Sequence, residues 1–409
     1  MTNSTVGVYI SVPFCKAKCT FCNFASGVFS ADRMQGYVDR VCKEMLKARI
    51  AAKGLNATLD RSVDSVYFGG GTPSLLSPEQ FNQIFAALRS EFDLAAGAEV
   101  TLECAPGQLS DDTLSELLRQ GMNRISFGVQ SFVDRESTAV GRLHTEQQCK
   151  AEIARLRSAG VSEISLDLIA GLPHQTEQSW RYSVGQAIAS GVPHASVYML
   201  EVDEESRLGK EMLASGTRYH ASAVPSEDDA AAWYQLACEA FDEAGLQQYE
   251  ISNFARSGHA SQHNLKYWKR QPYIGFGLDA HSILNTGMVD VRFANTSDLD
   301  AYLHDANEAG PFEIVRQTEA SSNTEADIIG REEAFEESLF LGLRLNEGVV
   351  LNSLRSKFGD AMLEDVMPAL VDVRDAGLLE MNSDLIRLTA RGRMVSNEVF
   401  SRLLLASVA

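Results

Sequence analysis

Three cysteines, Cys15, Cys19 and Cys22, fall within one stretch of eight residues, Cys15-Lys16-Ala17-Lys18-Cys19-Thr20-Phe21-Cys22. Thiolates at this spacing on a single loop can hold three irons of a 4Fe–4S cluster. The fourth iron is then left without a protein ligand, open to bind a second molecule. Other uses of the cysteines fit less well. Structural zinc takes four ligands, and no second Cys-x-x-Cys or histidine pair follows nearby. A disulfide framework needs paired cysteines and an oxidising compartment. Seven cysteines in 409 residues, behind a start (Met1-Thr2-Asn3-Ser4-Thr5) without the pattern of a signal peptide, point away from one. Cys42, Cys104, Cys149 and Cys238 are scattered and read as buried thiols.

Four further groups could take part in chemistry. The run Gly69-Gly70-Gly71-Thr72 follows a short apolar segment directly, and consecutive glycines let a ligand approach the backbone. It is neither a Walker loop nor a dinucleotide fingerprint, and a tight turn would explain it as well. Glu103 and Asp167 are acids within otherwise apolar runs. They suit an ammonium group or ribose hydroxyls, or else form ion pairs with Arg124 or Arg142. His263-Asn264-Leu265-Lys266-Tyr267-Trp268 combines an imidazole with two aromatic rings. That set could meet the iron and face of a haem, or could simply anchor a loop. His281 is open to the same two readings.

The elements that must carry these residues follow a regular alternation. Strand-like runs are expected at Val6–Val12, Ser65–Phe68, Glu99–Cys104, Arg124–Val129, Glu163–Ile169 and Ala195–Leu200. Helices are expected at Arg33–Lys53, Pro78–Phe92, Asp111–Gln120, Thr145–Ala159, Gln178–Ser190 and Asp228–Ala244. Six βα units in series imply a parallel α/β sheet, open or closed into a partial barrel, with chemistry at the carboxyl ends of its strands. The cysteine loop, the glycine run, Glu103, Gln130 and Gly171 all fall at or just after strand ends. Beyond Gly245 a strand is expected at Gln248–Ile251, then a functional loop region over 252–285 and a linker over Gln317–Asp327. Helices at Glu333–Leu343, Val350–Phe358 and Ala361–Ala376, a hairpin at Leu378–Met381 and Leu385–Leu388, and a last helix Ala390–Leu405 suggest a winged-helix-like appendage. The expected domains are 1–245, 246–330 and 331–409. The net charge of −19 disfavours nucleic acid, no apolar run is long enough to span a membrane, and a cytoplasmic location is expected.

Cys-x3-Cys-x2-Cys followed by Gly69-Gly70-Gly71-Thr72-Pro73-Ser74 resembles the signature of radical S-adenosylmethionine (SAM) proteins. That resemblance implies a partial (βα)6 barrel, a cluster on Cys15, Cys19 and Cys22, and SAM on the open iron. In such proteins an electron from the cluster cleaves SAM to a 5′-deoxyadenosyl radical, so an electron donor would be a partner wherever cleavage occurs. The segments Tyr9–Cys15, Glu103–Gly107, Ser126–Phe132, Gly141–His144 and Asp167–Pro173 resemble the coproporphyrinogen-dehydrogenase-like branch. By position, that family's SAM contacts fall on Tyr9, Gly70, Gly71, Thr72, Glu103, Gln130, Arg142 and Asp167.

Within the branch the chain is more similar to the haem chaperones than to oxygen-independent coproporphyrinogen III dehydrogenase. The dehydrogenase has a further cysteine where this chain has Phe24, and a longer segment ahead of the cluster loop. The chaperones' HNxxYW motif is matched by His263, Asn264, Tyr267 and Trp268. The resemblance thus implies a protein that binds haem near His263, Tyr267 and Trp268 and passes it to acceptor proteins. Asn23, Cys104 and Asp279 depart from the family pattern, which commonly has Asp, Asn and Gly at these places.

Overall fold

The computed structural model describes residues 5–287, 289–304 and 326–404. Six strands and their helices alternate as expected: β1 (Val6–Val12), α1 (Asp32–Gly54), β2 (Ser62–Gly70), α2 (Pro78–Glu91), β3 (Asp93–Cys104), α3 (Asp111–Arg119), β4 (Arg124–Gln130), α4 (Asp134–Ala139), α5 (Glu146–Ser158), β5 (Glu163–Ala170), α6 (Glu177–Ser190) and β6 (His194–Met199). Strands β1 to β6 pair in sequence order, all parallel, as the expected partial barrel. The helix starts are set by side chains. Ser77, Thr145 and Thr176 each close a capping box, and Ser110 accepts from the Thr113 amide. Each such cap stabilises its helix by about 1 kcal/mol.

Alternation along the strands divides their two faces. Val6, Val8, Ile10 and Val12 of β1, Val66 and Phe68 of β2, and Ile164, Leu166 and Leu168 of β5 are buried in one continuous apolar core with residues of the surrounding helices. The opposite face is polar: Tyr9 and Ser11, Ser65 and Tyr67, Glu99 and Glu103, Arg124 and Ser126, Glu163 and Asp167, His194 and Ser196. Parallel register sets these residues in layers, with Gly7 beside Ser65, Tyr9 beside Tyr67, Glu103 beside Ser126 and Asp167 beside Ser196. The barrel interior is therefore built for a polar ligand rather than for packing.

The chain after β6 extends the same sheet at both edges. It forms α7 (Arg207–Leu213), α8 (Glu227–Glu243), β7 (Gln247–Gln248), β8 (Asn253–Ala255), α9 (Gln262–Trp268), β9 (Tyr273–Phe276), β10 (His281–Asn285), β11 (Asp290–Ala294), α10 (Leu299–His304) and β12 (Ala326–Ile329). The strand order is β12-β11-β10-β9-β1-β2-β3-β4-β5-β6-β8-β7. Strand β9 runs parallel to β1, and β8 runs antiparallel to β6.

Two expectations change here. The strand placed at Gln248–Ile251 is instead β7 and β8, separated by a turn in which Glu250 accepts from the Ser252 amide at 3.0 Å. The stretch 252–285 is not a loop; its elements of three to seven residues are too short for periodicity to show. The linker expected at Gln317–Asp327 lies outside the described residues, apart from its last two, which begin β12.

The C-terminal part is helical around a three-stranded antiparallel sheet. It comprises α11 (Arg331–Arg344), β13 (Val349–Val350), α12 (Leu351–Phe358), α13 (Asp360–Asp375), β14 (Leu379–Met381), β15 (Leu385–Leu388), α14 (Ala390–Met394) and α15 (Ser396–Arg402), with strand order β13-β15-β14. The single helix expected from Ala390 is two, broken at Val395 (φ −118°, ψ 34°). This part has its own apolar core, from Ile329 to Leu403.

Candidate functional site

The cysteine loop leaves the carboxyl end of β1 and is tied to its surroundings through the thiols themselves. The Thr72 hydroxyl donates to Cys15 Sγ (3.8 Å), Arg142 Nη1 donates to Cys19 Sγ (3.5 Å), and Cys22 Sγ meets the Ser26 hydroxyl at 3.9 Å. Burial pushes the Cys15 thiol up, and the other two thiols add to the push, so the three sense one another. Among the described residues no three metal-binding side chains close to single-ion distances. A four-iron cluster holds its thiolates farther apart than one ion does, and hydrogen-bond donors toward sulfur are what such a cluster's ligands use. The loop fits that group.

The glycine run packs against β1 without room for side chains. A Cβ on Gly70 (φ +99°) would come within 2.9 Å of Ser11 Oγ, and one on Gly71 within 2.8 Å of the Val12 carbonyl oxygen. Gly69 sits under Tyr9 and Glu103, where a Cβ would approach each at about 3.0–3.1 Å. The amides of Gly71 and Thr72 donate back to Val12 and Phe14. This close packing is why the glycine turn and the cysteine loop share one end of the barrel.

The two acids are not in ion pairs with the candidate arginines. Glu103 accepts from the Tyr67 hydroxyl at 2.9 Å, and Asp167 accepts from Ser126 at 3.2 Å. Arg124 pairs instead with Glu99 (3.7 Å) and Glu163 (3.6 Å) at the other end of the barrel, and Arg142 turns to Cys19 and the Gly128 carbonyl. Burial pushes the Glu103 carboxyl up to about 7 despite the Tyr67 hydrogen bond, with Asp167 adding to it. Burial likewise pushes Asp167 up to about 6, against the hydrogen bonds from Ser196 and Ser126. Two more atoms await a partner: Gln130 Oε1 and Arg142 Nε are buried and unbonded. Gln130 holds φ +67° at a register shift between β4 and β5, which re-aims its side chain. Unsatisfied acceptors, an unsatisfied guanidinium N–H and two carboxylates short of a cation match the amino, carboxylate and ribose groups of SAM.

HNxxYW lies at the opposite end. Helix α9 lies across the amino ends of the strands and forms the barrel floor. Glu99 of β3 accepts from the amides of Gln262 and His263, both at 3.0 Å, and from Ser261 Oγ at 3.2 Å. His263 is 1% exposed. Its Nδ1 meets Ser65 Oγ and its Nε2 meets the Tyr267 hydroxyl, both at 2.9 Å. Its ring stacks on Tyr67 with centroids 5.2 Å apart, and burial drives its pKa down to about 3, so the ring is neutral. The expectation of a histidine poised for iron meets a side chain whose nitrogens are both engaged. Trp268 lies under the Arg344 guanidinium, 4.3 Å from ring centroid to Cζ. Of this motif Tyr267 reaches a cavity. That cavity, of about 310 Å³, is lined by Tyr9, Ser11 and Gly70, by Phe24 and Ala25 after the cluster loop, and by Tyr267, Tyr273, Asp279 and His281.

The departures from the family pattern have local explanations in two cases. Asn23 donates to Asp203 at 2.9 Å, where an aspartate would repel it. Cys104 is buried, and its Sγ donates to the Ala105 carbonyl at 3.3 Å. Sequence reasoning missed Ser65, Tyr67 and Tyr273, whose roles come only from register and from the return of β9 beside β1.

A parallel partial barrel with three thiols and a glycine cradle at its carboxyl end defines the class, a radical SAM protein. The radical SAM superfamily model matches residues 9–185, and the HemN C-terminal domain model matches residues 329–395. The chain is 30% identical to the heme chaperone HemW of Lactococcus lactis over 98% of this chain and 97% of that protein. It is 32% identical to the heme chaperone HemW of Bacillus subtilis over 97% and 98%. It belongs to the HemW family. Among solved structures, coproporphyrinogen III oxidase (HemN) from Escherichia coli, a radical SAM enzyme, aligns with a TM-score of 0.81 at 21% identity, covering 98% of this chain and 90% of that one. At that identity the likeness concerns the fold.

Proposed function

We propose that this protein is a haem chaperone that binds haem and hands it to acceptor proteins. The reading is carried by similarity to heme chaperones along almost the full length of both chains. Phe24, in place of the dehydrogenase's further cysteine, supports it. Cys15, Cys19 and Cys22 would hold a 4Fe–4S cluster with one iron open. Tyr9, Gly70, Gly71, Thr72, Glu103, Gln130, Arg142 and Asp167 would hold SAM, which supplies a labile sulfonium beside the cluster. In that arrangement Glu103 and Asp167 meet the ligand's positive and hydroxyl groups, while Arg142 donates to sulfur and to the ligand at once. Tyr267 contributes an aromatic wall to the haem site, with His263 and Trp268 setting its position. Haem acceptors are the partners expected, with an electron donor wherever SAM is cleaved. The net charge of −19 disfavours nucleic acid. A cytoplasmic location is part of the same reading; no helix among the described residues is long and apolar enough to cross a membrane.

The test is anaerobic. Reconstituted protein is titrated with haem, mixed with an apo-haemoprotein, and separately incubated with coproporphyrinogen III, SAM and a reductant. Saturable haem binding, haem transfer and no protoporphyrinogen are expected. Stoichiometric conversion of coproporphyrinogen would assign the protein to the decarboxylating enzymes, the second reading that the HemN-like fold keeps in view.

A further inference from the structure

His281 carries chemistry that the reading above does not use. It opens β10 at the solvent-exposed edge of the cavity, and its ring makes no hydrogen bond or ion pair among the described residues. The walls beside it are aromatic: Tyr9, Tyr267, Tyr273 and Phe24 line the same space, and Phe24 is 63% exposed. Flat rings along a wall and one free imidazole at its rim are the donor set a metalloporphyrin takes, with ring faces on the macrocycle and nitrogen on iron. A volume of about 310 Å³ with an open mouth accommodates part of a macrocycle and leaves the rest accessible, as a carrier that must release its load requires.

A second observation lies two residues upstream. Asp279 lines the same cavity and holds φ +56°, a left-handed conformation that aspartate adopts more readily than most residues. It turns the chain into β10, whose first residue, His281, lines the cavity beside it. His263 is the opposite case. To offer a nitrogen to iron it would have to give up Ser65 or Tyr267 and leave a site where it is 1% exposed.

We infer that His281, rather than His263, is this protein's axial ligand to haem iron. The inference rests on the haem-carrier reading and deepens it. The experiment uses two probes, haemin and iron-free protoporphyrin IX. Each is titrated into the reconstituted wild type, His281→Ala and His263→Gln, with absorbance recorded against haem-free protein. His281→Ala is expected to weaken haemin binding at least tenfold and to shift the Soret band. It should leave protoporphyrin IX affinity within about twofold, and added imidazole should restore the wild-type band. His263→Gln disturbs the Tyr267 wall and is expected to weaken haemin and protoporphyrin IX alike while keeping the wild-type Soret position, since the iron's ligand is untouched. A wild-type haemin spectrum and affinity in His281→Ala overturns the assignment, as does an equal loss of both porphyrins in that variant. A wild type that binds neither porphyrin overturns the carrier reading itself.

Discussion

At the scale of single residues, the site's electrostatics turn on Glu103. Its carboxyl is pushed up to about 7 by burial, from an ordinary value of 4.5. The folded protein without SAM therefore holds a proton there that the unfolded chain releases, and stability falls as pH rises from about 4.5 to 7. Asp167, pushed up to about 6 from 3.8, acts in the same direction. His263 acts the other way. Neutral when folded and protonated below about 6.5 when unfolded, it costs stability as pH falls. The single variant Glu103→Gln isolates the first effect, because glutamine still accepts from Tyr67 and cannot ionise. Relative to wild type, the variant should gain on the order of 2–3 kcal/mol between pH 5 and pH 8 in SAM-free protein, measured by urea unfolding. A difference between the two proteins that stays constant with pH would show Glu103 to be ionised already. The acids and the cysteines were legible in the sequence because strand ends and fixed spacing mark them. Their partners were not: Tyr67 and Ser126 face Glu103 and Asp167 only through parallel register, which no local pattern records.

At the scale of elements, the six βα units were legible because long periodic runs and capping residues agree with one another. The strand and helix positions between Gly245 and Arg331 were not, since α9 spans seven residues and β9 four. These short pieces are held by tertiary contacts rather than by propensity. Helix α9 shows how. Its first amides and the Ser261 hydroxyl converge on the Glu99 carboxylate, which also faces Arg124, itself 3% exposed. Glu99→Ala would leave those donors and that guanidinium without their acceptor, although Arg124 keeps Glu163. The expected cost is about 3 kcal/mol, read as a lower midpoint of chemical unfolding. Hydrogen exchange at His263 and Gln262 should quicken by more than the global change. Exchange that follows the global loss alone would mean that α9 does not depend on Glu99 locally. The isosteric Glu99→Gln should fall between the two, keeping an acceptor and losing the charge.

At the scale of the whole molecule, the question is how the C-terminal helical part reaches a site formed mostly by the barrel. Each has its own apolar core, Met394 and Ile329 make apolar contact across the join, and polar contacts add to it. Asn346 donates to the Gln248 carbonyl at 2.6 Å, and Arg344 lies over Trp268 and faces the buried Glu250 at 3.8 Å. The central device is Glu337 on α11. It takes Arg270 Nε at 2.7 Å and Arg292 Nη2 at 2.5 Å, while Arg270 also pairs with Asp290. Arg270 follows α9 with φ +51° and is almost wholly buried, and Tyr273 of the cavity wall lies three residues on. Arg270 is buried while Arg292 stays a third exposed, and a buried guanidinium is costly unless a carboxylate faces it, so Glu337→Ala should destabilise the protein by about 3 kcal/mol. Because the network spans both cores, the loss should appear in calorimetry as uncoupling, with one transition becoming two. Its effect should also reach the cavity, weakening haemin binding several-fold through the wall formed by Tyr267 and Tyr273. The paired replacement Arg270→Met with Glu337→Leu keeps the volume and removes both main charges. It should recover most of the stability. If the single variant unfolds in one unshifted transition, the two parts are coupled by other contacts and Glu337 does not join them. If the pair restores stability but not haemin affinity, the charges themselves, and not only the packing, set the position of the cavity wall.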